Sequence, residues 1–325
     1  MPLKVYCVNL GREIKAEGGE TLDHLLQRVR DEIPFTPICA RVNNKTESLH
    51  YPLYGPKRVE YIDSATQSGQ RVYVRSMCMM LYRAVCAVAH GARLRIMLSI
   101  AKGYYCKLEG VEITQTLIDA LKDYMRQLTE RNLPFERHEH PTEDVIEIFR
   151  SQGLDDKVRL LETLHELYTV YYTLDGIADS YNSALAPSTG SIRVFELEIY
   201  KKGFLLLGPD PVNLDVPQQR VTQEKMYEAF TNYLDFNHII GVRNAGELNR
   251  KAEEGRGSML INVAEALHEK KIAVISDEIK RRYDRGGARV VLIAGPSSSG
   301  KTTFTKRLAI QLMTNLLEPT MISLD

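Results

Sequence analysis

Residues 290–303 read Val290-Val291-Leu292-Ile293-Ala294-Gly295-Pro296-Ser297-Ser298-Ser299-Gly300-Lys301-Thr302-Thr303. The first five are a continuous apolar run, which predicts a buried strand of a parallel sheet. The next nine satisfy G-x-x-x-x-G-K-[ST]. Phe304, Leu308 and Leu312 then fall on one face of a predicted helix. Strand, glycine-bounded loop and helix, in that order, predict a phosphate-binding loop at the head of an α/β domain.

The spacing has a physical reason. A loop that wraps phosphates with backbone N–H groups must keep side chains out of the way, so glycine stands at both ends, Gly295 and Gly300. Ser297, Ser298 and Ser299 are small for the same reason, and with no histidine nearby they do not read as nucleophiles. The helix turns its free N–H groups toward the same anion, which Thr303 helps to line. Lys301 supplies a point charge for the β- and γ-phosphates. Thr302 offers the hard oxygen that Mg²⁺ prefers. The cofactors expected are therefore a nucleoside triphosphate, taken as ATP with GTP left open, and Mg²⁺.

The rest of the 325-residue chain is ordinary in composition, with 44% hydrophobic and 26% charged residues. Disorder and a membrane bundle are excluded on those figures. Lys and Arg total 42, and so do Asp and Glu. Bulk positive charge is thus not the means by which it would hold nucleic acid. Charge is uneven, with 11 basic and 9 acidic side chains over 1–75, 17 and 23 over 76–235, and 14 and 10 over 236–325. The start has no secretory signal, and the apolar stretch from Met77 meets Arg83 at once. The five cysteines, Cys7, Cys39, Cys78, Cys86 and Cys106, are scattered without a C-x-x-C, as in a reduced cytoplasmic protein.

Residues 1–75 predict a β-grasp unit. Strands are expected at Lys4–Asn9 and Glu13–Ala16, then a helix capped by Thr21 and carrying Leu22, Leu25, Leu26 and Val29. Strands at Ile38–Val42, Val59–Ile62 and Arg71–Val74 complete it. Residues 76–222 predict an α+β domain. It opens with a helix from Ser76 to Ala89 and a hairpin, and continues with a helix bearing Leu117, Leu121, Tyr124 and Leu128. A strand at Phe135–Glu139, two helices, and strands at Tyr168–Thr173, Ile192–Glu198 and Gly203–Leu207 follow. Residues 223–287 predict a helical linker, and 288–325 the first part of a P-loop domain.

Gly295-Pro296-Ser297-Ser298-Ser299-Gly300-Lys301-Thr302-Thr303-Phe304 resembles the opening of uridine kinases and their phosphoribulokinase relatives. The resemblance implies a nucleoside kinase that moves the γ-phosphate of ATP to a nucleoside hydroxyl, with uridine, cytidine or another acceptor left open. It places Asp325, at the end of a predicted strand Thr320–Leu324, at the position of the general base. Gly18-Gly19-Glu20-Thr21-Leu22 and Ala40-Arg41-Val42-Asn43-Asn44 resemble a TGS domain. Asn132-Leu133-Pro134-Phe135-Glu136-Arg137 and Ala186-Pro187-Ser188-Thr189-Gly190 resemble the second additional domain of threonyl- and alanyl-tRNA synthetases. The order TGS, synthetase-like domain, helical linker and P-loop domain resembles a bacterial uridine kinase arrangement. An alternative is an RNA- or tRNA-binding protein with a regulatory nucleotide site. The 38 residues from Ala288 fall short of a whole P-loop domain, so the chain is expected to be a piece of a longer protein, inactive by itself.

The synthetase domain edits through H-x-x-x-H and C-x-x-x-H. Aligned on the quoted neighbours, these fall on Ser76 and Met80, and on Tyr181 and Leu185. No zinc or water-activating set can be built from those side chains, so a packed or reshaped cleft is expected, with a repurposed binding surface for RNA or a small ligand as the alternative. His138 and His140 alternate on a predicted strand and share a face, where solvated histidines are the simplest reading. Cys86 and His90 read as core or surface residues, and the pairs Tyr104-Tyr105 and Tyr171-Tyr172, which could stack on bases, read by default as packing residues.

Overall fold

The computed structural model describes residues 3–323, and these divide into two units that meet at His238 and Ile239. The first unit is mixed α+β. It begins with β1 (Leu3–Cys7), β2 (Arg12–Ala16), β3 (Glu20–Thr21) and α1 (Leu22–Gln27), followed by β4 (Cys39–Val42), β5 (Lys45–Glu47), β6 (Pro52–Leu53) and β7 (Lys57–Ile62). The sheet order is β2-β1-β7-β4-β5, with β1 and β7 parallel at the centre and β3 pairing β6. Thr21 caps α1 as expected, accepting from the His24 N–H, and Leu22, Leu25 and Leu26 are buried. Alternation places Val5, Cys7, Val59 and Tyr61 inside with them.

The strand expected at Arg71–Val74 is instead part of α2 (Gln67–Val88). Four alternating residues are a weak signal against a cap. Thr66 accepts from the Gly69 N–H at 3.1 Å, and Val72, Ser76, Met80 and Ala84 then recur at helical spacing and are all buried. β8 (Arg93–Ile100) and β9 (Gly103–Glu109) form the expected hairpin, followed by α3 (Gln115–Arg131), β10 (Glu136–Pro141), α4 (Thr142–Ser151), α5 (Asp155–Leu164), β11 (Tyr168–Leu174) and β12 (Ile177–Asp179). The last strands are β13 (Glu196–Tyr200) and β14 (Gly203–Leu207), and α6 (Glu224–Ile239) closes the unit. Two sheets result, β10-β11-β12 and β13-β14-β9-β8. The core between the elements is built from Met77, Met79, Met80, Leu121, Leu128, Phe135 and Phe204.

The two segments quoted for their synthetase likeness hold each other. The Leu133 N–H donates to Thr189 Oγ1 at 2.8 Å, the Thr189 N–H donates to the Leu133 carbonyl at 2.8 Å, and Phe135 N–H reaches the Pro187 carbonyl. Thr189 Oγ1 donates in turn to the Leu128 carbonyl at the end of α3.

The second unit holds α7 (Ala245–Glu253), α8 (Gly257–Asp284) and α9 (Lys301–Thr314). Gly286 and Gly287 end α8, donating to the carbonyls of Tyr283 and Arg282. Leu308 and Leu312 of α9 pack on Ile272 of α8, with Phe304 beside them.

The expected P-loop parallel sheet is not found among the described residues. Val290–Ala294 has no strand pairing, and Val290 and Leu292 are 75% and 82% exposed. A parallel strand exists only between neighbours that take its hydrogen bonds and cover both faces, and no strand lies alongside this run. Thr320 to Ser323 is likewise unpaired. Among the described residues no helix is long and apolar enough to cross a membrane.

Candidate functional site

The loop 295–300 is folded, with no strand paired to Val290–Ala294 before it among the described residues. Ser298 and Gly300 both take left-handed backbone, at φ 59° and 81°, and turn the chain into α9. A Cβ on Gly295 would stand 2.7 Å from Ser299 Oγ, so the two ends of the loop are in close approach and a side chain there would have to push the Ser299 hydroxyl aside. Lys301 Nζ bridges the mouth of the loop, donating to the carbonyls of Gly295 at 2.9 Å and Pro296 at 2.8 Å. The Ser299 N–H donates to the Pro296 carbonyl at 3.3 Å.

Gly300 precedes α9 and offers no side chain to cap it. The first-turn N–H groups of the helix are then available to an anion, and no acidic residue occupies that turn. Thr302 and Thr303 are exposed, as are Gly295, Ser297, Ser298, Ser299 and Gly300. Expected site residues 295–303 are thus gathered in one loop and one helix start. The donor set fits a magnesium-bound polyphosphate, with amides and an ammonium for the phosphates and a threonine hydroxyl for the metal. Asp325 lies outside the described residues.

The positions expected to match the editing motifs are filled. Ser76, Met80 and Leu185 have no exposed surface. Ser76 Oγ donates to the Val72 carbonyl and accepts from the Ala186 N–H, both at 2.8 Å, which pins the 184–186 segment onto α2. Tyr181 packs against the same core, and burial pushes its phenol well above the ordinary value. Close by, Lys157 of α5 forms an ion pair with Asp179 of β12 and stands 5.8 Å over the Tyr181 ring. Sequence reading missed this pair, which unites residues from a helix and a strand that no motif links. Among the described residues no group of three or more His, Cys, Asp or Glu side chains could hold a metal.

Known proteins similar to this chain are threonine–tRNA ligases. The chain is 23% identical over 189 residues to that of Rubrobacter xylanophilus, matching 58% of this chain and 29% of the ligase. It is 25% identical over 181 residues to that of Desulforamulus reducens, 55% of this chain and 28% of the ligase. The ligase of Chlorobaculum tepidum is 26% identical over 187 residues, 56% and 28% of the two chains. The chain therefore spans less than a third of the length of these relatives, and the likeness is to their N-terminal region, which holds the TGS and editing domains. The second unit has 87 residues, so most of the matched length falls in the first. The comparisons lend no support to a kinase. No family model matches the chain.

Proposed function

We propose that the loop Gly295–Thr303 binds a nucleoside triphosphate with Mg²⁺ and that the protein is a phosphotransferase acting on a nucleoside hydroxyl, with uridine as the type acceptor. The observation that carries this reading is the loop itself. Lys301 is held across its mouth, and the uncapped start of α9 lies beyond it. Lys301 and the amides would stabilise charge on the transferring phosphate, which is most of what phosphoryl transfer asks of a protein. Thr302 would hold Mg²⁺, which when bound supplies further neutralisation of the phosphate oxygens. Asp325 would orient or deprotonate the acceptor, and the expected compartment is the cytoplasm.

The test has two arms. This chain should bind ATP or GTP in a Mg²⁺-dependent manner, and Lys301→Ala should weaken that binding. The protein should phosphorylate a member of a nucleoside panel, and Lys301→Ala should abolish transfer. Undiminished transfer in that variant would overturn the reading.

A second reading, an RNA-binding protein with the nucleotide site as a switch, has its own support. The likeness to threonine–tRNA ligases bears on it more directly than on the first. The solvent face of the β2-β1-β7-β4-β5 sheet adds a local feature. Tyr6 is exposed there with the Arg58 guanidinium 5.9 Å over its ring, and Lys4 and Lys15 pair across the neighbouring strands. Glu13 stands opposite Tyr6 and pairs with Lys4 at 3.1 Å, so the face is mixed in charge, and it is the ring with Arg58 over it that offers a stacking surface for an unpaired base. Filter binding of tRNA at two salt concentrations separates the readings. A steep salt slope that is reduced in Arg58→Ala favours the second, and absence of binding at low salt removes it.

A further inference from the structure

Arg71 and Arg75 stand four residues apart on α2, so both side chains rise from one face of the helix. Arg71 is exposed and Arg75 is half-buried. Arg75 Nη1 donates to the Ala184 carbonyl at 3.3 Å, and among the described residues neither arginine forms an ion pair. Most N–H donors of the two guanidinium forks therefore have no protein acceptor. The fold treats comparable arginines differently. Arg83 is paired with Asp175 at 2.9 Å and Arg95 with Asp156 at 2.8 Å.

The surroundings of Arg75 do not supply the missing charge. The groups that act on it most are Arg71, Tyr172, Cys39 and Tyr104, with no carboxylate among them. Burial, and after it the Arg71 charge, lower the Arg75 guanidinium from its ordinary value. Tyr104 of β9 lies within electrostatic reach of both arginines and packs on the same core as α2. A half-buried cation beside a second cation costs free energy until an anion meets it. Arginine does not escape that cost by losing its proton near neutral pH.

We propose that Arg71 and Arg75 form a phosphate-binding site on α2, beside Tyr104. One guanidinium fork already satisfies a carboxylate, whereas two forks match the several oxygens of a phosphate. The phosphate can belong to a free nucleotide or to the backbone of RNA. The site shares no residue with the loop 295–303 or with the face at Tyr6 and Arg58, so the proposal stands or falls apart from both readings of the function.

The test follows the side-chain Nε–H resonances of Arg71 and Arg75 in the full chain, assigned with Arg71→Lys and Arg75→Lys. Inorganic phosphate is titrated against chloride at constant ionic strength. Both resonances should shift saturably with phosphate and stay still in chloride. Arg71→Gln should weaken the phosphate binding read at Arg75 by about tenfold or more, the scale of a hydrogen bond to a charged group. That variant also removes a like charge. Its melting temperature in chloride should equal or exceed that of the native chain, and the order should reverse in phosphate. Absence of a saturable shift, an equal shift in chloride or acetate, unchanged binding in Arg71→Gln, or a melting order indifferent to phosphate would each overturn the proposal. Adenosine monophosphate and a short single-stranded oligoribonucleotide then identify the source. Tighter binding of the oligonucleotide with a steep salt slope points to RNA, and tighter binding of the monophosphate points to a free nucleotide.

Discussion

The Lys301 ammonium donates to the Gly295 carbonyl at 2.9 Å, so the cation that would meet a triphosphate already spans the loop that would surround it. Binding then exchanges carbonyl partners for phosphate oxygens at a cation already held over the loop. Lys301→Ala should lower Mg²⁺–triphosphate affinity by about 1.5–3 kcal/mol, the range for hydrogen bonds to charged groups, or roughly 10- to 150-fold. The side chain sits at the surface, so the melting temperature should hardly move. A fluorescent nucleotide titration beside a thermal melt checks both parts. An unchanged affinity would remove Lys301 from the site.

The close approach within the loop gives a sharper test. On Gly295, an added Cβ meets Ser299 Oγ at 2.7 Å, while the next nearest atoms are at ordinary contact distance. Gly295→Ala should therefore weaken triphosphate binding by displacing Ser299 and the amides around it. Ser299→Ala removes the clashing atom and should restore part of that loss in the double variant. The two changes should be non-additive in a binding cycle. Simple additivity would mean that the glycine is needed for a different reason.

Sequence legibility followed how local each signal is. Thr21 caps α1 and Leu308 and Leu312 seat α9, because a cap or an apolar stripe is written within a few residues. Arg71–Val74 misled because alternation over four residues was weighed without Thr66, five residues upstream, which starts the helix. Val290–Ala294 misled for the opposite reason. Its composition suits a strand, but strand formation is a property of neighbours, and among the described residues none lies beside it. The loop 295–303 was legible as one local unit because its motif is contiguous. The Lys157–Asp179 pair and the partners of His138 on β11 were not, since only the fold brings them together.

Thr189 should be among the side chains most needed by the first unit. Its hydroxyl accepts from the Leu133 N–H and donates to the Leu128 carbonyl, and the residue has no exposed surface. Thr189→Val keeps the shape but leaves both backbone groups without that partner, at a cost of about 1–3 kcal/mol. For a unit of this size that is roughly 2–12 °C in melting temperature. Thr189→Ser, which retains the hydroxyl, should lose much less. Equal losses in the two variants would assign the effect to the missing methyl contacts and not to the hydrogen bonds.

Acid should loosen the β11–β12 turn through Asp175. Hydrogen bonds from Arg131 at 2.8 and 3.2 Å, with Arg83 at 2.9 Å, hold its carboxyl below the ordinary carboxylate value. In the interval between that lowered value and about 3.9, the unfolded chain binds more protons than the folded one, so stability rises with pH there. The contribution is complete above the unfolded value and is lost as pH falls through the folded one. Asp175→Asn should consequently lower the melting temperature at pH 7, and the gap from the native protein should close as both are taken toward pH 2. Thermal melts across that range decide the matter. A gap that does not change with pH would mean that the carboxylate charge contributes nothing and that only the hydrogen-bond geometry matters.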